Sequence, residues 1–211
     1  MKIAFIGYGH VGAPLADHLQ RLGHAVTLAV NNEDSESVRR VRARNPHIRV
    51  APVAEAVKHA EVVFLATPFQ ANETVLKGIA DALAGKILVD CTNPVGPGIT
   101  HGLKSEQSGT QLVQSLVPGA HVVKAFSIYG YENFEDNSFP DYNVKPAMLF
   151  CGNDTVSKSV VHKLITQLGW EPIDVGGLEQ ALHLEHMTLL WVRLVRLNDA
   201  SPNLVWAALR K

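Results

Sequence analysis

The sequence predicts a doubly wound α/β fold, a mostly parallel Rossmann-type sheet followed by a C-terminal apolar helical tail. Three observations predict it. Short apolar runs alternate with longer amphipathic ones through the first three-quarters of the chain. Those runs are near-continuous rather than alternating, as strands covered on both faces require. The first of them leads straight into GYGHVG (7–12), a glycine spacing that opens a helix.

Each element follows from its residues. KIAFIG (2–7) is a strand and Val11 to Leu22 a helix; AVTLAV (25–30) is the second strand, and 35–44 a polar helix ended by Asn45-Pro46. IRVAP (48–52) is a short strand, VAEAVKHA (53–60) a short helix, EVVFLATP (61–68) the fourth strand and 70–83 another helix. KILVDCTNP (86–94) gives a fifth strand, followed by a glycine-rich loop, a helix near 105–116 and HVVKAFSIY (121–129). Residues 130–146 are polar, aromatic and punctuated by proline, and read as a long loop. AMLFCG, a helix at 155–168 and WEPIDVG extend the same sheet.

From about Leu178 a helix begins whose stripe of Met187, Leu190, Trp191, Leu194 and Val195 is widened almost all round by Leu184, Leu189, Val192 and Leu197. A helix so apolar must be covered on most sides. A homodimer through it is therefore expected. The expected organisation is a dinucleotide-binding domain over 1–177, with extra strands in 147–175, and a helical interface segment over 178–211.

Composition bounds the rest. At 211 residues, 46% of them hydrophobic, the chain can form one large domain or one domain with a small appendage. A net charge of −1 gives no electrostatic case for nucleic acid or an anionic membrane. Two cysteines make no disulfide framework and fit a reducing compartment. MKIAFIGYGHVG imitates a signal peptide only briefly, and no run approaches the roughly 18–20 apolar residues that span a bilayer. The expectation is a soluble, cytoplasmic protein.

In GYGHVG, Gly7 allows the tight turn, Gly9 lets the backbone approach a pyrophosphate, and Gly12 lets helix and strand pack closely. The spacing alone is weak among 16 glycines, but its place between an N-terminal strand and a helix is specific. Two further loops, ATPFQ (66–70) and CTNPVGP (91–97), fall at strand ends, where ligands of open parallel sheets lie. Thr67 and Asn93 can hydrogen-bond a ribose or carboxamide, and Pro68 and Pro94 stiffen the backbone; the same residues are also ordinary turn formers.

Several signatures are absent. Tyr142 and Lys145 stand one residue short of a Tyr-x-x-x-Lys pair, and neither a Gly-x-Ser-x-Gly elbow nor a lysine P-loop occurs. His183 and His186 flank Glu185 on the final helix but find no matching ligand cluster, so no metal site is expected. Lys124, near a strand end lining the crevice, reads as a solvent-reaching lysine ahead of one that orients a substrate, and Cys91 as a small buried apolar residue.

GYGHVG, LGHAVTLAV, AGKILVDCTNPVG, VPGAHVVKAFSIYG, MLFCGND and GWEPIDVGGL occur in this order along the chain. With them the sequence resembles the coenzyme-F420-dependent NADP oxidoreductases over roughly residues 1–180. It is similar also to the cytosolic oxidoreductase domain of the six-transmembrane metalloreductases. The resemblance implies hydride exchange between a nicotinamide and a flavin or deazaflavin. Carried over by position, Tyr8, Gly9, His10 and Val11, within the loop from Gly7 to Gly12, would hold the pyrophosphate. Asn31 and Asn32 would face the adenosine ribose, and Ala66, Thr67, Pro68, Asn93 and Pro94 the nicotinamide half.

The chain departs from that pattern in three places. Val30-Asn31 stands where relatives commonly have Ser-Arg, Gln70-Ala71 where they often have Glu-His, and SIYG where they tend to have His-Thr-Ile-Pro. Asn31 lies 19 residues beyond Gly12, the position that discriminates NAD from NADP. Neither carboxylate nor arginine stands there. Glu33, Asp34 and Glu36 are expected to face solvent at a helix start, leaving the two amides, with Arg39 or Arg40 reaching back. Amide donors suit a phosphate, and with the resemblance they favour NADP over NAD.

The expected activity is NAD(P)H-dependent hydride transfer to a small planar acceptor, with flavin or deazaflavin as second cofactor or substrate. Such transfer needs alignment more than acid–base chemistry, so no catalytic side chain is named. Two other readings stand beside it: a small carbonyl or imine reductase using Tyr129 or Tyr131 as proton donor, and a non-catalytic dinucleotide sensor.

Overall fold

The computed structural model describes residues 1–211, the side chain of Ser37 excepted. Strand–helix alternation builds the first half as β1 (Lys2–Ile6), α1 (Gly12–Arg21), β2 (Ala25–Val30), α2 (Glu36–Arg44), β3 (Arg49–Pro52), α3 (Val53–His59), β4 (Val62–Leu65) and α4 (Asn72–Lys77). The second half adds β5 (Ile87–Asp90), β6 (Val95–Gly96), β7 (Thr100–His101), α5 (Gly109–Leu116), β8 (His121–Lys124), α6 (Glu132–Glu135), β9 (Ala147–Gly152), α7 (Thr155–Gln167), β10 (Glu171–Asp174) and α8 (Ala181–Leu197). Eight strands form one sheet in the order β10-β9-β8-β5-β4-β1-β2-β3. All adjacent pairs are parallel except β8 with β9.

Both faces of the central strands are apolar, which is why the runs do not alternate in sequence. Ile3 and Phe5 of β1 and Val62 and Phe64 of β4 face a core shared with Leu15 and Leu19 of α1, Val161 and Leu164 of α7, and Leu184 and Trp191 of α8. Ala4, Ile6, Val63 and Leu65 face the opposite core, with Val57, Leu76 and Val113. Phe5 and Phe64 stack across the strand pair at 4.5 Å between ring centroids.

Several boundaries differ from the sequence expectation, each for a local reason. The helix expected over 70–83 breaks into 3-10 turns at Phe69–Ala71 and Asp81–Leu83 around the short α4, which ends at Gly78. The helix expected from 105 starts at Gly109, because Ser108 and Gln111 close a capping box there, a device worth about 1 kcal/mol. The glycine-rich loop folds into an unanticipated antiparallel hairpin, β6 with β7. The final helix stops at Leu197, and the chain beyond it is not helical as far as 211. It turns back so that the Trp206 carbonyl accepts from Ala147 N at 2.8 Å, at the start of β9. The buried face of α8 is Ala181, Leu184, Glu185, Thr188 and Trp191, rotated from the stripe expected; Leu190 is 51% and Leu197 59% exposed.

Candidate functional site

The strand order reverses direction at β1, which lies between β4 and β2, so the crevice of the sheet opens above the carboxyl end of β1. Gly7 ends that strand at φ +97°, and a Cβ on it would stand 2.5 Å from the Ala66 carbonyl oxygen of the neighbouring loop. A Cβ on Gly12 would collide with the Gly7 carbonyl. Around Gly9, by contrast, no atom comes within 4 Å of where a Cβ would be. Two glycines of the motif are therefore needed by the protein itself, and the third leaves open space.

That space lies at the N-terminus of α1, a helix with no side-chain cap and no acid in its first turn. Free N–H groups and the positive end of the helix dipole face it. This geometry fits the pyrophosphate of a dinucleotide.

Beside the loop lies a cavity of about 400 Å³, lined by Tyr8, Gly9, His10, Ala13, Arg40, Arg44 and Glu135. The Tyr8 hydroxyl donates to buried Asp17 at 2.7 Å, and Asp17 also receives Arg44 Nε and, at 3.1 Å, Asn45 Nδ2. Partial burial, and then the hydrogen bond to Asp17, push the Tyr8 phenol well above its ordinary range. Arg44 reaches on to Glu135 at 2.8 Å, and His10 stacks on Tyr131 at 4.4 Å. These two contacts lay the start of the 130–146 loop against the glycine turn.

Of the residues expected around the ribose, Asn31 and Asn32 are exposed, and the Asn32 side-chain oxygen accepts from Asp34 N at 2.9 Å. Arg39 is turned onto the Asp34 carbonyl at 3.3 Å, whereas Arg40 lines the cavity and pairs with Glu36 at 2.9 Å. Glu33 lies 3.9 Å from Arg42.

The other two loops meet across β4 and β5. Thr67 Oγ1 donates to Asn72 at 2.8 Å, Asn72 Nδ2 to Thr92 Oγ1 at 2.9 Å, and Thr92 Oγ1 to Asp90 at 2.7 Å. Pro94 is buried and Pro68 exposed. The Asn93 amide is anchored to the Ser127 carbonyl at 2.9 Å, with Thr188 Oγ1 of α8 at 3.1 Å from its oxygen. Ser127 follows Phe126, a fully buried aromatic held at φ +54°, a strained backbone of the kind that clusters at functional sites.

Lys124 overturns the sequence reading. It is not solvent-reaching but fully buried, with Nζ 2.8 Å from the Thr92 carbonyl, 3.3 Å from Glu185 and 3.8 Å from Asp90. Burial alone would lower its pKa, but the two carboxylates outweigh it and hold the ammonium's pKa above its ordinary value. Glu185 also accepts from Gly109 N and Thr110 N, the first residues of α5, at 3.1 and 3.3 Å, and from His101 Nε2 at 2.8 Å. His101 Nδ1 accepts from Leu103 N and Ser105 N, which assigns the neutral tautomer with the proton on Nε2. The cluster ties the ends of β5 and β8 to β7, α5 and α8, and sequence reasoning missed it. Its one visible signal was a lysine inside a strand apolar enough to be buried.

Glu185 faces the core while His183 and His186 are exposed, so the three cannot converge on one ion; His186 instead meets Ser105 Oγ at 2.9 Å. Tyr129 is likewise not available as a proton donor to the crevice. Its hydroxyl donates to the Ala147 carbonyl at 2.6 Å and accepts from Trp206 N, and burial pushes its pKa upward. Tyr131, stacked on His10, remains at the mouth. Cys91 is buried, as its apolar surroundings suggested, and burial raises its thiol pKa.

Residues 2–94 match the family described as NADP oxidoreductase, coenzyme F420-dependent. The chain is 31% identical to Metalloreductase STEAP3 of Rattus norvegicus over 189 residues, 89% of this chain but 36% of that protein, so it spans about a third of that relative's length. It is 28% identical to the F420-dependent NADP reductase of Methanocaldococcus jannaschii, covering 92% of both chains. A crystal structure from Arthrobacter sp. FB24, provisionally assigned as an F420-dependent NADP reductase, superposes with a TM-score of 0.84 at 29% identity, covering 94% of this chain and 95% of that one. Through residues 2–94, and with a Rossmann-type fold shared almost end to end, the chain is similar to the coenzyme F420-dependent NADP oxidoreductases.

Proposed function

We propose that the protein exchanges hydride between NADP(H) and a planar acceptor, a flavin or deazaflavin, in the crevice above β1, β4 and β5. The observation that carries this reading is the open volume at Gly9 between two glycines the fold needs for itself. When bound, the nicotinamide supplies or takes the hydride. The residues from Gly7 to Gly12 hold the pyrophosphate on backbone N–H groups and the α1 dipole. Arg40, beside Gly9 and Tyr8, is placed to meet a 2′-phosphate. Ala66, Thr67, Pro68, Asn93 and Pro94 wall the nicotinamide half, and the hydrogen bonds that pin Thr67 and Asn93 keep that wall in register. The burial of Tyr129 in a fixed network removes one of the two proton donors open to a carbonyl or imine reductase and leaves Tyr131 for that reading.

The test is NADPH and NADH oxidation with flavin, deazaflavin and ferric-chelate acceptors, against a ketone and an imine. Turnover confined to the ketone or imine would sink the proposal, and tight binding without turnover on any acceptor would favour the sensor. We also propose a homodimer through the outer face of α8, where Leu190 and Leu197 are exposed. A monomer in light scattering at micromolar concentration would refute it.

A further inference from the structure

We propose that a one-way hydrogen-bond relay, Thr67–Asn72–Thr92–Asp90, fixes Thr67 as a hydrogen-bond acceptor toward the dinucleotide, which makes Asn72, Thr92 and Asp90 positioning residues for binding. The inference rests on the reading that a nicotinamide dinucleotide occupies the crevice, and adds what the protein does to orient it.

The direction of the relay is set at its buried end. Asp90 is fully buried and surrounded by donors: Thr92 N at 2.9 Å, Thr92 Oγ1 at 2.7 Å, Thr110 Oγ1 at 2.7 Å and the Lys124 ammonium at 3.8 Å. A carboxylate so placed only accepts. The single proton of the Thr92 hydroxyl is therefore committed to Asp90, and Thr92 Oγ1 can receive but not give to Asn72, whose Nδ2 stands 2.9 Å away. That decides the rotation of the Asn72 amide. Its oxygen must face Thr67, and the Thr67 hydroxyl proton must point at it, 2.8 Å away.

Asn72 is 3% and Thr92 4% exposed, so water does not compete along the relay. Thr67 is half-buried and sits at the crevice, two residues beyond Leu65 as Thr92 is two beyond Asp90, its register partner on the next strand. A threonine at a loop mouth ordinarily rotates its hydroxyl to suit either kind of partner. Here the proton is spent inward, and only lone pairs remain for a ligand. The site selects a donor at this point. The nicotinamide half of a dinucleotide offers two kinds, the N–H of the carboxamide and a ribose hydroxyl.

The test measures NADPH and NADP affinity for the full-length protein, the Thr67→Ser, Thr67→Val and Thr92→Val variants, and the Thr67→Val/Thr92→Val pair. The same series is repeated with the 3-acetylpyridine analogue of NADP, which has no carboxamide N–H. Thr67→Ser should bind within about twofold of the parent, and Thr67→Val about five- to tenfold more weakly, the worth of one neutral hydrogen bond. Thr92→Val should weaken binding severalfold where Thr67 keeps its hydroxyl and not at all in the Thr67→Val background. A purely structural Thr92 would not show that coupling.

Loss of the Thr67→Val penalty with the acetylpyridine analogue assigns the donor as the carboxamide; its persistence assigns a ribose hydroxyl. Both support the relay. If Thr92→Val does not fold, Asn72→Leu reads the same cycle. Parent-like affinity of Thr67→Val, or equal Thr92→Val penalties with and without the Thr67 hydroxyl, overturns the relay while leaving dinucleotide binding intact. A parent protein that binds no dinucleotide overturns both.

Discussion

Lys124 and Glu185 meet at 3.3 Å with both side chains shut off from solvent, joining the end of β8 to the C-terminal helix. Asp90, 3.8 Å from the same ammonium, brings in the end of β5. Three elements, β5, β8 and α8, are thus tied at one buried charge. Removing that charge leaves two buried carboxylates, still hydrogen-bonded, without a counter-charge, which costs about 3–5 kcal/mol. Lys124→Met is therefore expected to lower the urea midpoint sharply, and Glu185→Gln, which keeps shape and some hydrogen bonding, to lower it less. Equal, small losses in both would show the cluster to be energetically idle.

The three glycines of the motif should separate stability from binding. Gly9→Val enters open space, so its melting temperature should stay near the parent's while affinity for NADPH falls at least a hundredfold, because the side chain occupies the volume assigned to the pyrophosphate. Gly12→Ala places its Cβ against the Gly7 carbonyl and should destabilise the fold itself. Thermal melts and dinucleotide titrations of the two variants check the contrast.

Arg40 lines the cavity with Gly9 while Arg39 is turned onto the Asp34 carbonyl. Arg40→Ala should weaken NADPH roughly ten- to a hundredfold, the worth of a charge-assisted hydrogen bond, and leave NADH almost untouched. Arg39→Ala should do neither. An unchanged NADPH-to-NADH affinity ratio in Arg40→Ala would rule out its role with the phosphate.

Alkali should unfold the protein early. Burial raises the thiol pKa of Cys91 and takes that of Cys151 to about 12, while Tyr8, Tyr129 and Lys124 are also shifted upward. In each case the folded chain keeps a proton that the unfolded chain releases, so stability falls as pH rises. The fall begins near the unfolded thiol value of about 8.5 and costs about 1.4 kcal/mol per pH unit for each thiol until its folded pKa is reached. Urea midpoints at pH 8 and 10 should therefore diverge, and a Cys91→Ala/Cys151→Ala variant should lose most of that slope.

Much of this was legible without coordinates. The apolar strands, the glycine turn and the loops at residues 66–70 and 91–97 are local signals, read from a few consecutive residues whose backbone conformation or burial leaves little choice. Ala25–Val30 is a strand in sequence and structure alike because six consecutive β-compatible apolar or small residues have nowhere else to go.

The relations that hold the site together were not legible, because they join residues far apart in sequence. Glu185 sits 84 residues from His101 and 76 from Gly109, and nothing in either neighbourhood announces the other. The same limit made Lys124 look solvent-reaching, since a lysine can be buried only where opposite charges arrive from other elements. It also left Tyr129 looking available when the returning tail had already claimed its hydroxyl. The sequence by itself determined the fold class, the family resemblance and the place of the glycine turn, because periodicity and backbone sterics act over short range. Tertiary structure alone decided which polar groups face the crevice and which spend their hydrogen bonds inward, because that depends on which partners the fold brings within 3 Å or so.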